Sequence, residues 1–202
     1  MAIGERVYAP FGDDPLLLHD VTIRNTAARP LRADWFEYWG VNPRSVVGPR
    51  EIGVARPVYR RAGRTLSAAQ LPDSVDSRPL TVFAAALRGR VADWEADAAS
   101  FFGSGAPARP AEVAAGRLSR TRGRGLFAFR SPVVVPAHAS VTLRYAYGLA
   151  HARRIPALVA KWRGARNPLL RSQRAWHGWL PRASSSGTVS YTHLTLPTKL
   201  EV

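Results

Sequence analysis

The chain has 202 residues, 46% of them apolar and 9% aromatic, which is too apolar for a disordered tail and long enough for one domain with a real core. It contains no cysteine, which excludes a disulfide framework and thiolate metal ligation. The net charge of +15 rests on arginine, since only Lys161 and Lys199 among the 29 basic residues are lysines, and that bias with abundant Ala, Gly and Pro is what GC-rich codon usage produces; nucleic acid is not the expected partner. No segment approaches the ~20 consecutive apolar residues of a membrane span. Met1 to Tyr8 lacks the apolar core of a signal peptide, so no membrane and a cytoplasmic setting are expected.

The first third reads as strands. Asp20-Val21-Thr22-Ile23-Arg24 alternates polar and apolar, the period of a half-buried strand. Asn25 to Pro30 has turn chemistry, because Asn tolerates tight turns and Pro removes a ladder donor. Leu31 to Trp39 is a second strand, rich in aromatics, expected to pair with the first as a hairpin or an adjacent antiparallel strand. Residues 40–64 read as long loops with short strands. Arg78 to Leu87 has the continuous apolar character of a fully covered strand.

Val91 to Phe102 is expected to form a helical turn or two, with Trp94, Ala98 and Phe101 on one side. Gly103 to Gly125 reads as a linker. Strands return at Leu126–Phe129 and Val133–Val135, and Pro136 to Ala139 turns the chain into Ser140–Tyr147. There Val141, Leu143, Tyr145 and Tyr147 share one face that would pack on a second sheet. Pro156–Arg163 and Asn167–His177 read as helices, the second started by Asn167 as cap and Pro168 at the first helical position. The fold class implied is mainly β, an antiparallel β-sandwich over residues 1–150, followed by linker helices over 151–188.

Few residues have the pattern of a chemical site. His19, His138, His151, His177 and His193 show no metal-ligand spacing, so no metal and no cofactor are expected. Neither a phosphate-binding loop nor a Gly-x-Ser-x-Gly elbow is present. The densest cluster is Trp35-Phe36-Glu37-Tyr38-Trp39. Strict alternation puts Trp35, Glu37 and Trp39 on one face. A carboxylate between two indoles can bind a sugar, since rings stack on sugar C–H faces and carboxylates accept hydroxyl hydrogen bonds. The stronger reading of the same strand is sandwich core, with a bulge as the device that would expose Glu37. Arg117, Arg120, Arg122 and Arg124 form a basic run between glycines that reads as a solvated loop, with phosphate contact as its alternative. Glu95 and Asp97 suit the first turn of a helix.

The last fourteen residues, Val189 to Val202, resemble a translated sequencing adapter: GTC TCT TAT ACA CAT CTG ACG CTG CCG ACG encodes Val189 to Thr198 in order. Such a scar is excluded from fold reasoning, and residues 189–202 are expected to be non-native.

Several segments together resemble the N-terminal β-supersandwich of glycoside hydrolase family 94. Val21-Thr22-Ile23-Arg24-Asn25-Thr26-Ala27-Ala28-Arg29-Pro30-Leu31-Arg32 is similar to its "VTxxN-x-x-xRPxR" strand pair. Trp94-Glu95-Ala96-Asp97-Ala98-Ala99-Ser100-Phe101-Phe102-Gly103-Ser104-Gly105 resembles its "WETDRxxFxGRG" segment, departing from it at Ala98 and Ser104, where the family carries Arg. Pro132 to Ala139 resembles the strand and "LAPGE"-type turn before the last long strand, and Trp176 to Ser184 the approach to the helical barrel.

The resemblance implies a truncated, non-catalytic domain of a glycoside phosphorylase or hydrolase, whose catalytic carboxylate and phosphate or water site lie in an (α/α)6 barrel that follows. In the inverting mechanism one acid protonates the leaving oxygen while phosphate or water attacks the opposite face. The partners implied are the missing barrel, oligosaccharide through the parent enzyme, and a second copy at a dimer interface. The alternatives are a stand-alone carbohydrate-binding or protein-interaction module and, less favoured, a nucleic-acid binder.

Overall fold

The computed structural model describes residues 1–41, 46–47, 50–51, 58–69, 72, 77–123 and 125–184. The adapter-like residues 189–202 lie outside them, as does most of 42–57. Met1 to Arg166 forms one compact unit, and the last helix belongs to a second.

The first unit is mainly β. A six-stranded antiparallel sheet has the order β1 (Ala2–Tyr8), β2 (Leu16–Arg24), β11 (Ser140–Ala150), β8 (Thr81–Arg88), β7 (Thr65–Ala69), β6 (Val58–Ala62). A three-stranded sheet has the order β3 (Leu31–Gly40), β10 (Gly125–Val135), β9 (Asp93–Asp97). The short strands β4 (Val46–Val47) and β5 (Arg50–Glu51) pair with each other.

The two larger sheets pack face to face. Val21, Ile23, Leu66, Ala84, Ala86, Leu143 and Tyr145 of the larger meet Trp94, Ala96, Phe127, Phe129, Val133 and Val135 of the smaller. Removing each large side chain from water contributes roughly 1.5–3 kcal/mol. The opposite face of the larger sheet is covered by α3 (Ile155–Arg163), whose Ile155, Leu158, Val159 and Trp162 pack on Leu16, Leu18, Phe83, Ala85 and Ala146. These four recur at helical spacing, which is why one stripe of the helix is apolar. Asp14 holds α3 in place by accepting from Lys161 Nζ at 2.5 Å and Trp162 Nε1 at 2.8 Å. The outer face of the smaller sheet is closed by α1 (Ala98–Phe102), the short α2 (Ala111–Ala114) and the chain after them, through Phe101, Leu118, Leu126 and Ala128.

Three local expectations are corrected. The strands flanking Asn25 to Pro30 do not pair: β2 lies between β1 and β11, and β3 pairs with β10. Each strand has one apolar face, and here those faces meet across the core. The crossing is secured by Asn25, whose Nδ2 donates to the carbonyls of Arg29, Val135 and Pro136 at 2.8–3.1 Å while its Oδ1 accepts from Ala27 N. The turn from β10 into β11 also changes sheets, so one buried amide ties two sheet crossings together.

The expected helix over 91–102 is half strand. Trp94 and Ala96 alternate into the core on β9, and the helix begins only where Asp97 Oδ1 caps Ser100 N at 2.7 Å. Trp94 and Phe101 therefore serve different clusters, despite their helical spacing. Residues 126–129 and 133–135 are one strand, β10, which runs through Pro132. The β9 ladder stops at Arg130, leaving one side of β10 open beyond it, and a proline is tolerated where its missing N–H has no ladder to serve.

The second unit contains α4 (Pro168–Ser184). Pro168 occupies its first position and the Asn167 carbonyl accepts from Arg171 N at 3.1 Å. Asn167 itself has φ +46°, the left-handed region that Asn enters more readily than most residues. Trp176 and Trp179 meet edge to face within this helix, 5.6 Å between centroids.

Candidate functional site

The aromatic strand β3 presents Trp35, Glu37 and Trp39 on one face, as alternation requires, and that face looks into the sandwich. Its register with β10 sets Phe127, Phe129 and Ser131 beside Trp39, Glu37 and Trp35. Across the core, β2 contributes His19 and β11 contributes Tyr145 and Tyr147, all from the face that also carries Val21 and Leu143.

These side chains converge on one carboxylate. Glu37 is 4% exposed, and its Oε1 accepts from Tyr147 Oη at 2.7 Å, His19 Nδ1 at 2.8 Å and Trp39 Nε1 at 3.2 Å. Its Oε2 accepts from Trp35 Nε1 at 2.9 Å. Trp39 also stacks on Tyr147, with centroids 4.0 Å apart and planes at 22°. The other ring nitrogen of His19 lies 3.3 Å from Glu5 Oε2 on the edge strand β1, close enough for an ion pair although not aligned as a hydrogen bond. Deeper along β11, Tyr145 Oη and Ser131 Oγ are 2.8 Å apart.

Electrostatics follow from this enclosure. Burial alone would raise the Glu37 carboxyl, but the hydrogen bonds from His19 and Tyr147, the His19 charge and the Trp35 indole outweigh it and hold Glu37 below the usual range. Burial likewise works against a charged His19, yet the hydrogen bond and charge of Glu37, with Glu5 behind, raise it. Tyr147 is pushed well above the ordinary phenol range by burial and by the adjacent Glu37 carboxylate. Both shifts favour the charged forms of His19 and Glu37, which meet between the two sheets, with indole and phenol donors completing the carboxylate's hydrogen bonds.

Such an arrangement clamps β2, β3 and β11 together. A general acid or base must reach the proton of a bound substrate, and here every donor around Glu37 comes from the protein itself. No bulge exposes Glu37. Trp35 and Trp39 are half-buried, with both indole N–H groups turned to Glu37.

His19, Tyr147 and Glu5 join the cluster without having been singled out as site residues. The available signal was the alternation of His19, Val21 and Ile23, which places a lone histidine on the apolar face of β2. Glu95, expected in a helical turn, is instead a second buried carboxylate on β9, accepting from Ala96 N, Asp97 N, Thr121 N and the Ser119 hydroxyl. In the basic run, Arg120 pairs with Asp93 at 2.7 Å. Among the described residues no group of three or more His, Asp or Glu side chains is gathered as a metal site, and no helix is long and apolar enough to cross a membrane.

Fold and cluster together define an antiparallel β-sandwich with a polar clamp in its interior. No family model and no curated protein sequence matches the chain. Among solved structures it is similar to a putative kojibiose phosphorylase from human microbiome, with 8% sequence identity and a TM-score of 0.42. That match covers 92% of this chain and 19% of the other, so the chain spans about a fifth of that protein's length.

Proposed function

We propose that this chain is a non-catalytic β-sandwich part of a carbohydrate-active enzyme, a glycoside phosphorylase or hydrolase whose bond-cleaving groups lie in a helical barrel outside it. The observation that carries the scaffold assignment is the enclosure of Glu37, whose two oxygens are occupied by His19, Tyr147, Trp35 and Trp39. Glycosidic cleavage needs two carboxyl groups facing one sugar, roughly 5–9.5 Å apart across an accessible cleft. Glu37 and Glu95, the two buried glutamates among the described residues, instead close on internal donors. The carbohydrate class is supported by the resemblance of residues 21–32, 94–105 and 132–139 to the sandwich of glycoside hydrolase family 94.

Trp35 and Trp39 are the residues we assign to saccharide contact at the rim of the sandwich. Glu37 fixes their indoles from within instead of meeting a sugar hydroxyl. Assay of the chain with disaccharides in phosphate buffer should give neither sugar phosphate nor free monosaccharide. Turnover that co-purifies with the folded chain and disappears in Glu37→Gln would sink the scaffold assignment. The reading frame beyond Gly187 in the source gene should encode an (α/α)6 barrel with an acid over its cleft, and an unrelated continuation would overturn the enzyme class. Titration with cellohexaose and maltohexaose, followed by tryptophan fluorescence, tests the rim. Saturable binding lost in Trp35→Ala supports it, and a flat response removes Trp35 and Trp39 from the proposal.

A further inference from the structure

The helix α3 covers only part of the outer face of the six-stranded sheet. It packs over β2, β11 and β8, and beside it the β6–β7 hairpin leaves a half-open groove of about 460 Å³. Registry fixes which hairpin side chains face it. Ser67 pairs with Phe83 and Thr65 with Ala85, both of which lie under α3, so Ser67 and Thr65 point to the same side. Arg60 is the cross-strand neighbour of Ser67 and shares that face. The opposite wall is a second stripe of α3, in which Pro156, Val159 and Arg163 recur at helical spacing.

The groove's chemistry is one-sided. Its walls carry guanidinium groups at Arg60 and Arg163 and hydroxyls at Thr65 and Ser67, but no carboxylate. Among the described residues, neither Arg60 nor Arg163 forms an ion pair. Asp14, the acid beside α3, is taken by Lys161 and Trp162. Arg61 turns to the sandwich side, where its guanidinium lies 5.5 Å from the centroid of the Trp94 ring. Two uncompensated guanidinium forks next to two hydroxyl donors suit an oxyanion with several acceptor oxygens. The apolar helix wall suits a hydrocarbon body attached to it, and the volume is that of a small-molecule site.

We propose that the groove between α3 and the β6–β7 hairpin binds a small organic phosphate monoester, the phosphate held by Arg60, Arg163 and Ser67 and the organic body lying on Pro156 and Val159. The site is separate from the Glu37 cluster, which sits on the other face of the sheet.

Calorimetric titration of the full chain with phenyl phosphate, inorganic phosphate, benzoate and phenol tests this. Phenyl phosphate should bind with one-to-one saturation, about tenfold more tightly than inorganic phosphate or benzoate, and phenol should not bind measurably. Arg60→Ala and Arg163→Ala should each weaken phenyl phosphate about tenfold, and Ser67→Ala by about threefold. Arg60 and Arg163 are exposed, so their variants should keep the parent thermal midpoint, which is measured alongside. Arg6→Ala, an exposed arginine on β1, is the charge control and should change nothing. Benzoate binding as tightly as phenyl phosphate overturns the phosphate assignment, and equal affinity for inorganic phosphate overturns the role of the apolar wall. Absence of saturation, or an equal loss in Arg6→Ala, reduces the groove to general charge attraction and overturns the site.

Discussion

Two glutamates on the same three-stranded sheet are buried, one on each face, and they are satisfied in opposite ways. Glu37 on β3 faces the interior and draws its donors from side chains on three strands, with His19 and Tyr147 lying 18 and 110 residues away in sequence. Glu95 on β9 is 0% exposed and is satisfied close to home, by the amides of Ala96 and Asp97 and by the Ser119–Thr121 segment. The first carboxylate joins the two sheets. The second fastens a covering loop onto one of them. A buried carboxylate does not become a site by being buried; its donors show whether it organises the core or a surface segment.

The largest expected effect follows from removing the interior charge. Glu37→Ala leaves His19, Tyr147 and two indole donors without their acceptor, and breaking a buried pair in this way costs about 3–5 kcal/mol. Denaturant unfolding should show that loss as a lower midpoint with an unchanged slope. An effect below about 1 kcal/mol would mean that water reaches the cluster and the clamp is not structural. Glu95→Ala should cost less, about 2–4 kcal/mol, because it strands amides and one hydroxyl instead of a cation. The two variants should also differ in kind. Hydrogen exchange should quicken at residues 96–97 and 119–121 in Glu95→Ala, and across β2, β3 and β11 in Glu37→Ala. Identical exchange patterns would erase the distinction between the two carboxylates.

The same contrast explains what could be read from the chain. Alternation placed Trp35, Glu37 and Trp39 on one face, and Val141, Leu143, Tyr145 and Tyr147 on another, because a strand's side-chain period is local. It could not place His19 opposite Glu37, since that depends on β2 and β3 lying in different sheets. Asn25 illustrates the limit: its turn chemistry was visible, but the carbonyls of Val135 and Pro136 that decide the crossing lie 110 and 111 residues away. Trp94 misled for a related reason. Its spacing to Ala98 and Phe101 fits a helix, while β10 supplies the ladder that makes residues 93–97 a strand. The groove beside α3 has no local signature, because its walls come from a hairpin and a helix some 90 residues apart.

The interior pair should also leave a mark on the pH dependence of stability. His19 is raised above its ordinary 6.5, so the stability it contributes is complete below that pH and is lost as pH rises through the higher folded value. Glu37 is lowered below 4.5, so its contribution is complete above that pH and fades as pH falls through the lower folded value. The pair is therefore strongest between about pH 4.5 and 6.5. The thermal midpoint of the parent chain should decline on the alkaline side of that window, and in His19→Gln the decline should be shallower. Parallel curves would show that His19 is neutral in the folded chain, making its contact with Glu37 a plain hydrogen bond.

The smallest effect is expected from an ion pair outside both clusters. Arg120 meets Asp93 at 2.7 Å, but its side chain is 61% exposed, and Arg130 Nη1 independently donates to the same carboxylate at 2.7 Å. Water and salt screen such a contact, and Asp93 keeps a partner when Arg120 is removed. Arg120→Ala should cost about 0.5 kcal/mol or less. Arg120 also has φ +62° and donates its backbone N–H to the Trp94 carbonyl at 3.0 Å, a bond the substitution preserves. Arg120→Pro removes that N–H and cannot adopt the positive φ, so it should destabilise the loop by more than about 1 kcal/mol. Were Arg120→Ala as damaging as Arg120→Pro in urea unfolding, the side-chain ion pair, and not the backbone carried over Glu95, would be what closes this face of the sheet.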